Sequence, residues 1–209
     1  MPLSNRIYFA QIAAGKWADW VQVININTEE AKVSAVARDR NGLILWTSER
    51  TLRPYQGWVV PVEPASVHQD LSLVVASDKP IVGERHCHLG TEVLAFPGAS
   101  LEAKTAGKRL FFPELVEGCL DVFIVFNISE DIASIDVIVR DRDGNTKKQF
   151  NTQLRPWCSW VFGDQDTGNL DGTVEVVSTQ NIVAERHLHY RGKYHPDGVA
   201  VGQLGQVLD

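Results

Sequence analysis

Short apolar runs separated by turn residues recur along the whole chain, and none of them carries a convincing helical period. Residues 21–26 alternate in part and are rich in branched side chains that suit a pleated surface. Residues 31–38, with Val33 and Val36, read as the next strand, and the matching run at 135–140 alternates more clearly through Val137 and Val139. Asn41-Gly42 and Asp143-Gly144 follow these runs, and such pairs favour hairpin turns because Asn, Asp and Gly tolerate positive φ. Residues 43–47 and 146–150 then read as return strands. Arg53-Pro54 and Arg155-Pro156 interrupt the pattern, since proline lacks the donor a central strand needs. Further strands are predicted over 58–62, 71–75, 93–95, 160–162, 173–177 and 199–201.

The runs come in two matching series. Arg6-Ile7-Tyr8-Phe9 corresponds to Arg109-Leu110-Phe111-Phe112, Asn25-Ile26 to Asn127-Ile128, and Leu52-Arg53-Pro54 to Leu154-Arg155-Pro156. Glu84-Arg85-His86-Cys87-His88 returns as Glu185-Arg186-His187-Leu188-His189. The offset drifts only from 103 to 101, so single-residue loop changes separate the copies. The pattern predicts an all-β chain made of two homologous antiparallel β-sandwich repeats in tandem, packed with pseudo-two-fold symmetry. The repeats are expected at 1–100 and 101–209, joined by a small, polar stretch from Pro97 to Gly107.

The order of features also resembles the sensory rhodopsin transducer family and related uncharacterised bacterial β-sandwich repeats. The pieces that carry it are Phe112-Pro113-Glu114-Leu115-Val116-Glu117-Gly118, Phe126-Asn127-Ile128, Asp143-Gly144, Leu154-Arg155-Pro156, Val176-Val177-Ser178 and Ile182-Val183-Ala184-Glu185-Arg186. The resemblance implies a small antiparallel sandwich that forms homo-oligomers and binds partners without catalysis. The tandem copy and the paired histidines depart from that pattern.

The repeated motif is the most chemically suggestive stretch. At strand spacing, Glu84, His86 and His88 share one face, as do Glu185, His187 and His189. The opposite face of the second copy carries Ile182, Ala184, Arg186, Leu188 and Tyr190, so it is expected to turn to the core. Arg186 then needs a carboxylate such as Asp141, because an unpaired buried charge is costly. The Glu/His/His face is expected to point outward or into a groove between the copies. Histidines two apart on a strand sit about 6–7 Å apart, and with a carboxylate they can hold a divalent transition metal. His195, from a loop, adds a further imidazole to the second set. The alternative reading makes these interface or surface side chains, recurring only because the copy is duplicated. Tyr55 and Trp157 follow the Arg-Pro turns and, with Arg53 and Arg155, form a candidate ligand-binding set for a sugar ring or a protein partner. Trp58 and Trp160 are expected to fill the core.

Composition narrows the field. Hydrophobic residues make up 44% of the 209 and charged residues 22%, which is neither disordered nor membrane-like. No apolar run approaches the roughly 20 residues that cross a bilayer. The net charge of −6 argues against a nucleic-acid partner. The three cysteines form neither a disulfide framework nor a thiolate zinc pattern, which suits reduced thiols in the cytoplasm. Conventional catalytic motifs are missing. These features point to a binding or scaffold protein that captures a protein or small ligand in a groove. The alternatives are a metal-dependent protein and a carbohydrate-binding module.

Overall fold

Alternation along the sequence becomes alternation of burial. The computed structural model describes residues 4–13, 15, 17–61, 69–190 and 199–208. The first copy supplies β1 (Ser4–Ile12), β2 (Ala18–Asn25), β3 (Ala31–Arg38), β4 (Ile44–Leu52), β5 (Gly57–Val60), β6 (Leu71–Leu89) and β7 (Glu92–Pro97). The second supplies β8 (Gly107–Leu115), β9 (Leu120–Asn127), β10 (Ala133–Asp141), β11 (Thr146–Leu154), β12 (Ser159–Gly163), β13 (Gly172–Tyr190), β14 (Val199–Leu204) and β15 (Gln206–Val207). A single helical turn, α1 (Asp164–Thr167), interrupts the β pattern. In β2, β3 and β10 every second side chain is buried. All pairings are antiparallel, and the strands form two sheets, one per copy.

Each copy is organised by one long strand. β6 is 19 residues long and changes neighbours midway. Its first half lies between β1 and β3, and its second half between β2 and β7. β13 does the same with β8 and β10, then β9 and β14. The separate strands expected at 71–75 and at the motif are therefore one. β3 pairs with β6 up to Ser77 and β2 pairs from Ile81. Pro80 lies in the change-over, where its missing N–H interrupts no ladder. Each copy folds back on itself: after β7, Tyr8 and Ala99 exchange backbone hydrogen bonds at 2.8 and 3.0 Å. In the second copy β15 plays that part against β8.

The turns show why the Gly pairs sit where they do. Only the glycines of Asn41-Gly42 and Asp143-Gly144 take positive φ, +84° and +85°. Gly42 N–H donates to Asp39 O at 3.0 Å, and the ladder slips by one residue beside it. This is a type I turn closed by a bulge, not the tighter turn that the pairs suggest on their own. Asn25 and Asn127 are pins that the repeat hinted at without explaining. Each buried amide donates to three backbone carbonyls, Glu29, Leu52 and Arg53 in one copy and Asp131, Leu154 and Arg155 in the other.

Each copy has its own apolar interior. Ile7, Phe9, Val21, Val23, Leu73 and Ile81 belong to the first, and Leu110, Phe112, Phe123, Val125, Val174 and Ile182 to the second. A further buried cluster lies between them. There Tyr8, Ala10 and Val74, on the outer face of β1 and β6, meet Ile124, Phe126 and Val183, on the outer face of β9 and β13. The copies thus meet through different faces. The expected two-fold is replaced by a head-to-tail packing, because a two-fold would place the same face on both sides. Burial records the difference. Residues 182–189 of β13 are buried on both faces, whereas residues 81–88 of β6 alternate.

Candidate functional site

The head-to-tail junction brings three of the seven expected metal-binding residues, Glu185, His187 and His189, into the interior. Arg85 is fully buried at the end of the first copy's core. Its Nε donates to both Asp19 oxygens at 3.0 Å and its Nη2 to Asp19 Oδ2 at 2.7 Å. Its Nη1 reaches across the junction to Glu185 Oε2 at 2.9 Å. Backbone N–H groups complete the carboxylates: Ala10 donates to Glu185 Oε1 and Ala13 to Asp19 Oδ2, both at 2.6 Å. Burial alone would lower the Arg85 pKa, but Asp19 and Glu185 outweigh it and hold the guanidinium charged. The neighbouring Cys87 thiol is pushed up to about 12 by burial and by Asp19.

The two histidines beyond Glu185 are packed rather than presented. His187 lies against Phe96 with ring centroids 5.0 Å apart, and His189 sits edge-on to Trp17 at 5.9 Å. His187 Nε2 is 3.7 Å from Glu185, and His189 Nδ1 is 3.2 Å from Glu92, outside hydrogen-bond geometry. Burial keeps His187 below its ordinary value, with Glu185 opposing. Arg186 faces the second core as expected, but its partner is Asp121, with Nε to Oδ1 at 2.5 Å. Asp141 instead holds its own hairpin, accepting from the backbone N–H groups of Asp143 and Asn145. Gln203 takes Arg186 Nη1 at 2.9 Å, while Nη2 has no hydrogen-bond partner among the described residues.

In the first copy the same motif is less enclosed, with Glu84 exposed and His86 and His88 half-buried. Glu84 is exposed and its Oε1 lies 2.9 Å from His86 Nε2. Trp20, directly across from His86 on β2, stacks on His86 and His88 with centroids 5.5 and 4.8 Å apart. This ladder lies on the outer face of β2, β5 and the second half of β6. Among the described residues, no three His, Cys, Asp or Glu side chains are grouped so as to hold a metal ion. His195, expected to complete the second set, lies outside the described residues.

The Arg-Pro turns set their two aromatic residues in different surroundings. Tyr55 and Trp157 both take positive φ, +58° and +61°, an uncommon conformation for an aromatic residue. Tyr55 is 67% exposed. Trp157 is half-buried in the junction, donates Nε1–H to Glu130 at 3.1 Å, and carries the Arg38 guanidinium 4.8 Å over its ring. Arg53 and Arg155 are exposed beside them. Trp58 fills the first core as expected, while Trp160 is half-buried against Phe150 and Phe162. What separates the two copies is visible in the sequence once the register is known. Val122, Ile124 and Phe126 of the buried face stand where the accessible face has Trp20, Gln22 and Ile24.

No protein-family model and no curated protein matches the chain. Among solved structures, it is similar to Thermotoga maritima 1070, at 15% identity and a TM-score of 0.41, over 47% of this chain and 92% of that one. It is also similar to a Bacteroides uniformis β-glucuronidase, at 11% identity and a TM-score of 0.21, over 93% of this chain and 25% of that one. A putative β-galactosidase from Bacteroides fragilis gives 8% identity and a TM-score of 0.19, over 90% and 30%. The chain thus spans a minor part of each of the two glycosidases. Among the described residues, no helix is long and apolar enough to cross a membrane.

Proposed function

We propose that the chain is a binding module without catalytic chemistry, and that it receives a protein partner on the outer face of β2, β5 and the second half of β6. The single observation behind this reading is the junction itself. The homologous face of the second copy, with the same Glu/His/His pattern, is filled by protein, namely the first copy. The first copy's own face carries Trp20, Glu84, His86 and His88 and is left accessible. Aromatic side chains framed by polar ones suit docking of a protein surface. Arg53 and Tyr55 extend the face at its edge.

A second reading, a saccharide ligand, is favoured by one feature: the Trp20 ring stands among Gln22, Glu84 and His86, which can bond sugar hydroxyls. The test uses Val59→Cys, on the same face and 57% exposed, labelled with an environment-sensitive dye. The three native cysteines are buried, so the label is selective. A dye response to a partner-containing extract that is lost in Trp20→Ser supports protein docking. Saturable quenching of tryptophan emission by an oligosaccharide panel supports the second reading. A dye and tryptophans silent to both refute the face as a binding site.

A further inference from the structure

We infer that the partner is a second copy of this chain, docked head to tail in the manner of the internal junction. The inference rests on the docking face proposed above and names its occupant. A heterologous contact between two homologous units leaves one unused copy of each face at the two ends of the chain. The first copy's β2–β5–β6 face is one of them. The other is the outer face of β8, β10 and β13 in the second copy, equivalent to the β1–β3–β6 face that receives the junction. Both ends keep the anchor positions. Tyr55 stands where Trp157 stands, in the same left-handed turn, but is 67% exposed where Trp157 is half-buried. On the receiving side Phe111 replaces Tyr8, and Arg140 replaces the Arg38 that caps the Trp157 ring.

The charged anchor is also repeated. In the junction Arg85 Nη1 takes Glu185. Its counterpart Arg186 is fully buried with Nη2 unbonded, and the counterpart of Glu185 is the exposed Glu84. Beside it, Val201 is 39% exposed where its counterpart Leu94 is buried in a cluster that includes Ala200 of the second copy. Two replacements weaken the contact between chains relative to the internal one. Pro113 withdraws the N–H that Ala10 gives to Glu185, and Glu175, held by Arg109 and Arg140, occupies the place of Val74. Association is therefore reversible and concentration-dependent.

Sedimentation velocity on the full chain tests this, with Tyr55→Asp to block the donating face and Phe111→Asp to block the receiving face. Both sites lie outside the two cores, and unchanged circular dichroism melts verify folding. The wild type is expected to grow beyond a dimer with concentration, as a ring or a chain. Each variant alone is expected to associate at least about tenfold more weakly. Mixed, the two variants are expected to form a dimer and stop, because each retains the face the other lacks. A monomeric wild type from low micromolar to near-millimolar concentration overturns the inference. So does a dimer whose mixed variants fail to pair, since that is two-fold association. If the wild type is monomeric while the Val59→Cys dye still answers an added partner, only the identity of the partner is lost. A silent dye removes the docking face as well.

Discussion

Arg85 holds two carboxylates, and its removal gives the sharpest measure of the junction. Arg85→Met keeps much of the side-chain volume and deletes the hydrogen bonds to Asp19 and the one to Glu185. Removing one partner of a buried ion pair typically costs about 3–5 kcal/mol. Here two carboxylates lose their counter-charge, while each keeps a backbone N–H bond, from Ala13 or Ala10. The upper end, about 5 kcal/mol, is therefore expected, or roughly 10–20 °C in melting temperature for a chain of this size. Arg186→Met orphans Asp121 alone and should cost less by about one charged hydrogen bond, about 1.5–3 kcal/mol. Urea unfolding followed by tryptophan fluorescence measures both. The double variant Arg85→Met, Glu185→Gln removes one of the orphaned charges and should recover about 1–2 kcal/mol of the loss, the coupling expected of residues in contact. A cost below about 1 kcal/mol for Arg85→Met, or no recovery in the double variant, would refute the view that this buried charge joins the two copies.

Two further outcomes follow from the same junction. His187 is held below its ordinary value of 6.5 by burial, so the unfolded chain takes up the proton first. Stability should then fall as pH drops through about 6.5, by up to about 1.4 kcal/mol per pH unit, and urea midpoints should show a shallower slope in His187→Phe. Gly202 lies under Phe96, and a Cβ there would sit 2.5 Å from the ring. Gly202→Ala should cost about 1–3 kcal/mol by overpacking, whereas Ala95→Gly, at the exposed equivalent position in the first copy, should stay near 0.5 kcal/mol; equal melting shifts for the two would count against the packing described.

Much of the architecture was legible in the sequence because strand periodicity and turn residues act locally. The alternation at residues 135–140, the Asn41-Gly42 turn and the matched Asn25 and Asn127 all reported real elements. The chemistry of the motif was harder to read. Glu84-Arg85-His86 and Glu185-Arg186-His187 are near-identical, yet one histidine face is accessible and the other buried. The decision lies in neighbouring strands, where Ile124 and Phe126 replace Gln22 and Ile24, and only the strand register shows that these residues share a face. Asp141 was the plausible partner for Arg186 by its place in the repeat, but Asp121 lies on the adjoining strand, on the same face. Trp157 was a ligand-binding candidate from its place after an Arg-Pro turn, and the first copy's Arg38 covers its ring. Long-range contacts of this kind leave no local signature.

The heterologous junction separates two senses of the word domain. The stretch from Pro97 to Gly107 separates the two matching series in the sequence. It does not mark where one stable body ends. Cut there, the first half would keep Arg85 without one of its counter-charges, and the second would bare Ile124, Phe126 and Val183 to water. Duplication thus made a molecule whose halves are alike in plan and no longer interchangeable: one has become the lid of the other.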